Sequence, residues 1–269
     1  MNPDPARIFQ GTAWYYRRYR RPYPVQLPND MVAYFHLNGS GRLLDLGCGT
    51  GELTVPLSAH VADAIGVDPS LDMLEEAKAR AAQAGVANIR WIQGRAEDIS
   101  FDLAPLRLTT AGVSFHWMRQ EVVLTKAYEL TEVGGGMAII SDISPVRGRD
   151  KTEAWKVRRR ELIEKYLGSE RRAGDHLHKD FISEKRPYAE LIAASPFHTF
   201  VHKEYPYTTE RDIDQIVGFL YSTSYANLRL LGDRADEFER EIRDELSRLV
   251  PSGKFIESGK AEVYLLQKK

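Results

Sequence analysis

The chain has 269 residues, 43% apolar and 28% charged, a composition that can bury a sizeable core and argues against disorder outside the termini. Lys plus Arg (37) nearly cancels Asp plus Glu (38), so no whole-molecule field draws phosphate backbones or anionic lipid, and an anionic partner must be met by a local patch. A single cysteine excludes an internal disulfide, the start lacks signal-peptide character, and no run nears the roughly 18 apolar residues of a membrane span, so a cytoplasmic protein with one decorated domain is expected.

Residues 1–30 interleave Trp14, Tyr15, Tyr16, Tyr19 and Tyr23 with Arg17, Arg18, Arg20 and Arg21, and read as a partly helical arm or lid. From residue 42 short apolar runs alternate with helical stretches, the pattern of βα units feeding a parallel sheet. Strands are predicted at 42–46, 64–67, 89–92, 106–113 and 137–141. Helices are predicted at 52–62, 71–83 and 121–131, the last stopped by Gly134-Gly135-Gly136.

Residues 151–167 form a strongly charged helix inside a predicted cap insertion at 150–187. Further helices are expected at 188–194, 210–225 and 235–249, and strands at 198–205 and 261–267. The fold class is therefore α/β: a Rossmann-like, mostly parallel seven-stranded sheet with helices on both faces, an N-terminal arm and a helical cap. The core is expected over 31–149 and resumes over 188–269, with a second cap helix at about 208–234.

The segment Asp45-Leu46-Gly47-Cys48-Gly49-Thr50-Gly51 sets three glycines at alternate positions between a strand and a helix. Glycine permits positive φ and lets a ligand lie against the backbone, and the helix start offers N–H groups to a carboxylate. Asp45, two residues before the first glycine, is placed to attract an ammonium. Asp68, ending the second strand, is placed to accept from two ribose hydroxyls. An amino acid attached to a nucleoside fits this set. Dinucleotide loops read G-x-G-x-x-G, whereas this one reads G-x-G-x-G after an Asp. Isolated glycines can simply mark turns, and Asp68 before Pro69 can cap a helix.

With these motifs residues 42–142 resemble the class I S-adenosylmethionine-dependent methyltransferases, in particular the small-molecule group called methyltransferase type 11. The resemblance implies S-adenosyl-L-methionine as cofactor and S-adenosyl-L-homocysteine as product. It implies that Gly47, Cys48, Gly49 and Gly51 cradle the methionine part, that Asp68 holds the ribose, and that Ala96 and Glu97 border the adenine. Arg95 stands where family members often carry Asp. The family often shows Phe-His-Trp after the fourth strand, here Phe115-His116-Trp117, which puts Ser114 and Trp117 at the cofactor pocket. Similar arms fold over the cofactor, which makes Tyr15, Tyr19 and Arg20 lid residues.

On the acceptor side His116 is a candidate general base, since an unperturbed imidazole titrates near neutrality, or else it orients the loop. Tyr15, Tyr221, Ser224 and Tyr225 are candidate acceptor contacts, against the plainer reading of Tyr221–Tyr225 as helix-end hydrogen bonding. His176-x-His178 has no partner at metal-ligand spacing, and no metal is expected. The absence of Asn/Asp-Pro-Pro-aromatic argues against nucleobase-amine methylation. Cytosine C5 chemistry needs a nucleophilic cysteine, and Cys48 lies in the cofactor loop.

The expected partner is a small-molecule acceptor, a natural-product intermediate among the options, with no nucleic acid and no membrane. Monomer and homodimer stay open. The alternatives are an RNA or protein methyltransferase docking through Arg17–Arg21 and Arg158–Arg160, or a module that binds the cofactor without transfer.

Overall fold

A computed structural model describes residues 5–143, 153–177 and 186–269. Its first elements are α1 (Pro5–Ile8), α2 (Ala13–Tyr19), α3 (Gln26–Tyr34), β1 (Arg42–Leu46), α4 (Thr54–Ser58), β2 (Asp63–Asp68), α5 (Leu71–Gln83) and β3 (Ile89–Gln93). There follow β4 (Leu106–Gly112), α6 (Gln120–Leu130), β5 (Thr131–Ile143), α7 (Ala154–Leu167), and a short hairpin of β6 (Arg172–Ala173) and β7 (His176–Leu177). The chain ends with α8 (Tyr188–Ala193), β8 (Val201–Arg211), α9 (Ile213–Tyr221), α10 (Leu228–Leu231), α11 (Ala235–Leu249) and β9 (Phe255–Gln267). No helix among the described residues is long and apolar enough to cross a membrane.

Seven strands form one sheet in the order β3-β2-β1-β4-β5-β9-β8. The pairs β1–β2, β1–β4, β2–β3 and β4–β5 are parallel, and the order reverses at β1, between β2 and β4. In such sheets ligands bind outside the carboxyl ends of the strands at this switch point. The end of β9 lies beside the start of β5, where the N–H of Gly134 donates to Lys268 O at 2.8 Å and that of Lys268 to Gly135 O at 2.9 Å. That pairing sets β9 antiparallel to β5.

The chain divides into two compact units. A sheet unit comprises 22–142, 184–205 and 261–269, and a helical unit comprises 1–21, 143–183 and 206–260. Strands β8 and β9 carry residues of both. The sheet unit has two apolar clusters, one around Leu44, Leu46, Phe115 and Ile139, the other around Leu27, Phe35, Leu43 and Val263. The helical unit has its own, built on Leu162, Val217, Phe238, Ile242 and Leu246. In α11 the last three recur every four residues, so one face of a highly charged helix is apolar and buried.

Several boundaries differ from the pattern reading for local reasons. Gly134-Gly135-Gly136 does not stop a helix before a strand but lies within β5. Between Leu106↔Thr131 and Leu108↔Gly136 the register shifts, and β5 accommodates extra residues as a bulge. The strand expected at 198–205 runs on through Tyr207 and Thr209 to Arg211, because alternation continues until Asp212 caps α9 with its carboxylate on the Gln215 N–H. The helix expected at 52–62 shrinks to α4. The last strand starts at Phe255 rather than 261. His178 falls outside the described residues, while His176 is exposed on β7.

A cradle of glycines at the switch point

Gly47, Gly49 and Gly51 leave β1 with φ of +63°, +55° and +82°, backbone that L side chains rarely adopt. Space is also short at two of them. A Cβ on Gly47 would lie 2.6 Å from Ser114 Cβ, and one on Gly51 would lie 3.2 Å from the Trp91 ring. At Gly47 space as well as conformation requires glycine, and at Gly51 a side chain would be tightly packed.

Asp68 ends β2 and is buried. One carboxylate oxygen accepts from Gly49 N–H and the other from Ser70 N–H, both at 2.9 Å. It therefore ties the middle of the glycine loop to the head of α5, whose N-cap is Ser70. Each oxygen retains a second lone pair for a ligand hydroxyl. Burial pushes the Asp68 carboxyl up to about 6, against the lowering effect of the two N–H donors.

Asp45 is also central, as a tie between elements. It is 1% exposed, and its two oxygens accept from the hydroxyls of Thr54 at 2.6 Å and Thr110 at 2.7 Å. The residue expected to attract an ammonium pins β1 to β4 and to α4 through these two bonds. Burial raises its carboxyl to about 6. Cys48 is buried, and its thiol is pushed well up by burial and by Asp68, Asp45 and Glu52. It stays protonated and is no nucleophile.

The other expected cofactor contacts gather at the same strand ends. Ser114 Oγ donates to Leu46 O at 2.7 Å, at the exit of β1. Phe115–Trp117 form a one-turn 3-10 helix after β4, with the His116 and Trp117 rings 4.7 Å apart and both side chains half-buried. Ala96 is buried in the 3-10 turn Ala96–Asp98. Glu97 accepts from Arg119 N–H at 2.7 Å and lies 3.5 Å from Arg95, so the departure from the family pattern at Arg95 is neutralised by its neighbour.

Sequence reasoning missed several supports. Arg80 on α5 donates to Thr50 O at 2.7 Å and to Glu52 at 2.6 Å, clamping the loop from thirty residues away. Gly66, inside β2, admits the Trp91 ring, which a Cβ would meet at 2.5 Å. A glycine within an apolar strand was the available signal. Val113 follows β4 with φ of +53°, a strained conformation for a β-branched residue at the edge where a ligand would sit. The Tyr23 hydroxyl lies where a Cβ on Gly112 would be, 2.6 Å away. Elsewhere in the sheet unit His202, Glu204 and Glu262 hold their ligand-type atoms within 4.8 Å of one another, a grouping that strand alternation at 202 and 204 did not disclose.

The remaining expected residues belong to the helical unit. The Tyr15 ring meets that of Tyr221 edge-on at 5.3 Å. Tyr221 donates to Glu239 at 2.8 Å, and burial and that carboxylate push its phenol up. Tyr19 lies flat on Gly218 of α9, where a Cβ would meet its ring at 2.4 Å. Ser224 is buried and its carbonyl accepts from Gly174 N–H at 2.8 Å. Tyr225 is half-buried under the Arg171 guanidinium. Ser222 and Thr223 hydroxyls donate to Phe219 O and Leu220 O, as helix-end bonding predicts.

A profile described as a methyltransferase domain matches residues 43–135, which include the glycine loop, Asp68 and the Phe115–Trp117 turn. Residues 43–135 therefore carry a methyltransferase domain, and the chain is similar to the S-adenosylmethionine-dependent methyltransferases. Over 164 residues the chain is 28% identical to an uncharacterized methyltransferase, C25B8.09, of Schizosaccharomyces pombe, covering 61% of each chain. It is 28% identical over 134 residues to a probable S-adenosylmethionine-dependent methyltransferase, CRG1, of Saccharomyces cerevisiae, covering 49% of this chain and 45% of that one. The matches thus span less than two thirds of these relatives' length. In fold it is similar to an S-adenosylmethionine-dependent methyltransferase of Thiobacillus denitrificans solved with S-adenosyl-L-homocysteine, with a TM-score of 0.52, 19% identity, and coverage of 97% and 98% of the two chains.

The cradle fits the family's cofactor, S-adenosyl-L-methionine. The three positive-φ glycines, alternating with the buried Cys48 and Thr50, let its methionine part approach the backbone, and Asp68 has lone pairs for ribose hydroxyls. The chain's affinity for S-adenosyl-L-homocysteine should depend on pH through Asp68. An ionised carboxylate accepts both hydroxyls, whereas at pH 5 a group titrating at about 6 is about nine-tenths protonated, so binding should be about tenfold weaker at pH 5 than at pH 7. Titration calorimetry should lose this pH effect in Asp68→Asn, and a flat wild-type profile would refute it. The unliganded fold has the opposite preference. Its raised carboxyls hold protons more tightly than the unfolded chain does, so their contribution to stability falls as pH rises from about 4 to 6.

Proposed function

We propose that this chain transfers the methyl group of S-adenosyl-L-methionine to an oxygen, nitrogen or carbon of a small-molecule metabolite. The observation that carries this reading is the positive-φ glycine loop anchored by Asp68 at the carboxyl ends of parallel strands. Displacement from a sulfonium is in-line, and the protein contributes mainly by aligning nucleophile, methyl and sulfur and by excluding water.

The narrower small-molecule group, suggested by the Phe115-His116-Trp117 motif, is part of this proposal. The buried, protonated Cys48 supports it by removing the thiolate that pyrimidine C5 chemistry uses. The balance of 37 basic and 38 acidic residues also supports it over an RNA substrate. Incubation with methyl-labelled cofactor and a metabolite extract, beside RNA and protein fractions, should deposit label among low-mass compounds. Label in RNA or protein instead would overturn the small-molecule reading.

We assign His116 to orienting the turn rather than to proton abstraction, because its ring is engaged with Trp117. His116→Ala should then keep turnover within about tenfold of wild type, with cofactor affinity unchanged. A loss of about 10²–10⁴ at unchanged affinity, the usual contribution of a general base, would make it the base.

A further inference from the structure

At the far edge of the sheet, four places from β1 in strand order, a second group of chemically capable side chains converges. His202 and Glu204 are two apart on the edge strand β8, so both stand on one face of the sheet. Glu262 and Tyr264, two apart on the neighbouring strand β9, stand on the same face. One ligand-type atom from each of His202, Glu204 and Glu262 lies within 4.8 Å of the others.

The surroundings hold this group in place. Lys203 and Tyr205, the alternate residues of β8, turn to the opposite face, where both donate to the Asp30 carboxylate of α3, at 2.9 and 2.8 Å. The His202 imidazole lies against the Tyr264 ring, with centroids 4.6 Å apart and planes 30° apart. Tyr264 is in turn wedged between Phe200 at 5.2 Å and Tyr188 at 5.9 Å. His202 Nε2 thereby stands 3.9 Å from the Glu262 carboxylate, which is buried. The imidazole is 33% exposed and Glu204 is exposed, so the group is open to solvent on its outer side.

Carboxylates that face each other across neighbouring strands repel, and a divalent cation between them reverses the sign of the interaction. The imidazole selects which cation. Magnesium and calcium take oxygen shells, whereas imidazole beside carboxylate oxygens suits zinc and the transition ions near it. With ligand bonds of about 2.0–2.2 Å, a tetrahedral ion keeps its ligand atoms about 3.4 Å apart. The three side chains need therefore close by at most about 1.4 Å, which their own torsions can supply while both strands stay fixed. Three protein ligands with an outward position left to water is an established zinc coordination. The ion would also clip an edge strand, the least restrained part of a sheet, to its neighbour.

We propose that His202, Glu204 and Glu262 bind a divalent transition-metal ion of the zinc type, joining β8 to β9 at the edge of the sheet. The site lies within the sheet unit, and the proposal does not depend on methyl transfer.

Isothermal titration of the untagged full chain with zinc chloride, and separately with magnesium chloride, tests it. Wild type should bind zinc saturably, while magnesium at the same concentrations should give only heats of dilution. His202→Ala and Glu204→Gln, both at exposed positions, should each weaken zinc binding at least tenfold. His176→Ala, which removes an exposed histidine of β7, should leave it unchanged. Because the ion joins two strands only in the native state, zinc should also raise the Tm of wild type and not that of His202→Ala. Circular dichroism verifies that each variant is folded, and Glu204→Gln carries the test should His202→Ala fail to fold. Zinc heats without saturation would overturn the proposal, as would zinc binding undiminished in the two variants or magnesium binding as tight as that of zinc.

Discussion

Asp68→Ala should weaken binding of S-adenosyl-L-homocysteine by about 1–3 kcal/mol, the cost of leaving buried donors without an acceptor, or roughly 5- to 150-fold in Kd. Two losses combine. Ligand hydroxyls lose their acceptor, and Gly49 N–H and Ser70 N–H lose the carboxylate that fixes the loop against α5. Asp68→Asn keeps one acceptor oxygen and the shape, so its affinity should fall between those of wild type and Asp68→Ala. Calorimetry with the product nucleoside ranks the three. Equal affinity for Asp68→Ala and wild type would remove Asp68 from the site.

Gly136→Ala should be the most damaging single methyl in the sheet unit. Its Cβ would fall 1.9 Å from Leu266 O and 2.5 Å from the Phe35 ring. The first is backbone of the paired strand, which cannot retreat without breaking the β5–β9 ladder. Overpacking usually costs 1–3 kcal/mol, and a backbone clash belongs at or above the top of that range, about 3 kcal/mol, a fall in Tm of roughly 6–12 °C for a chain of this size. Gly39→Ala serves as the control: φ is +89° there, but no atom lies within 4 Å, so only the conformational penalty of about 1 kcal/mol applies. Thermal unfolding of the two variants that gave equal shifts would show that the close approach of β9 is not what requires glycine at 136.

Much of the cofactor side was legible in the residues because its requirements are local. A loop that must be bare and left-handed needs glycine, so Gly47, Gly49 and Gly51 declare themselves in sequence. An acid closing the next strand of a βα unit reaches the same strand ends, so Asp68 could be placed by counting. Periodicity likewise fixed the five parallel strands and the apolar stripe of α11, since alternation and fourfold spacing are properties of short segments.

Tertiary structure decided what depends on partners distant in the chain. Asp45 reads as a ligand contact, and only the fold shows that Thr54 and Thr110 each donate to one of its oxygens. Arg80 carries no local mark of its clamp on Thr50 and Glu52, and Gly136 takes its importance from Leu266, 130 positions along the chain. The arginines of the arm read as a lid or a docking patch, and only packing revealed Arg20 and Arg211 sharing the ring of Phe219. Backbone geometry and side-chain spacing act within a few residues and can be read in order, whereas charge compensation and steric exclusion act through space and appear only once the chain is folded.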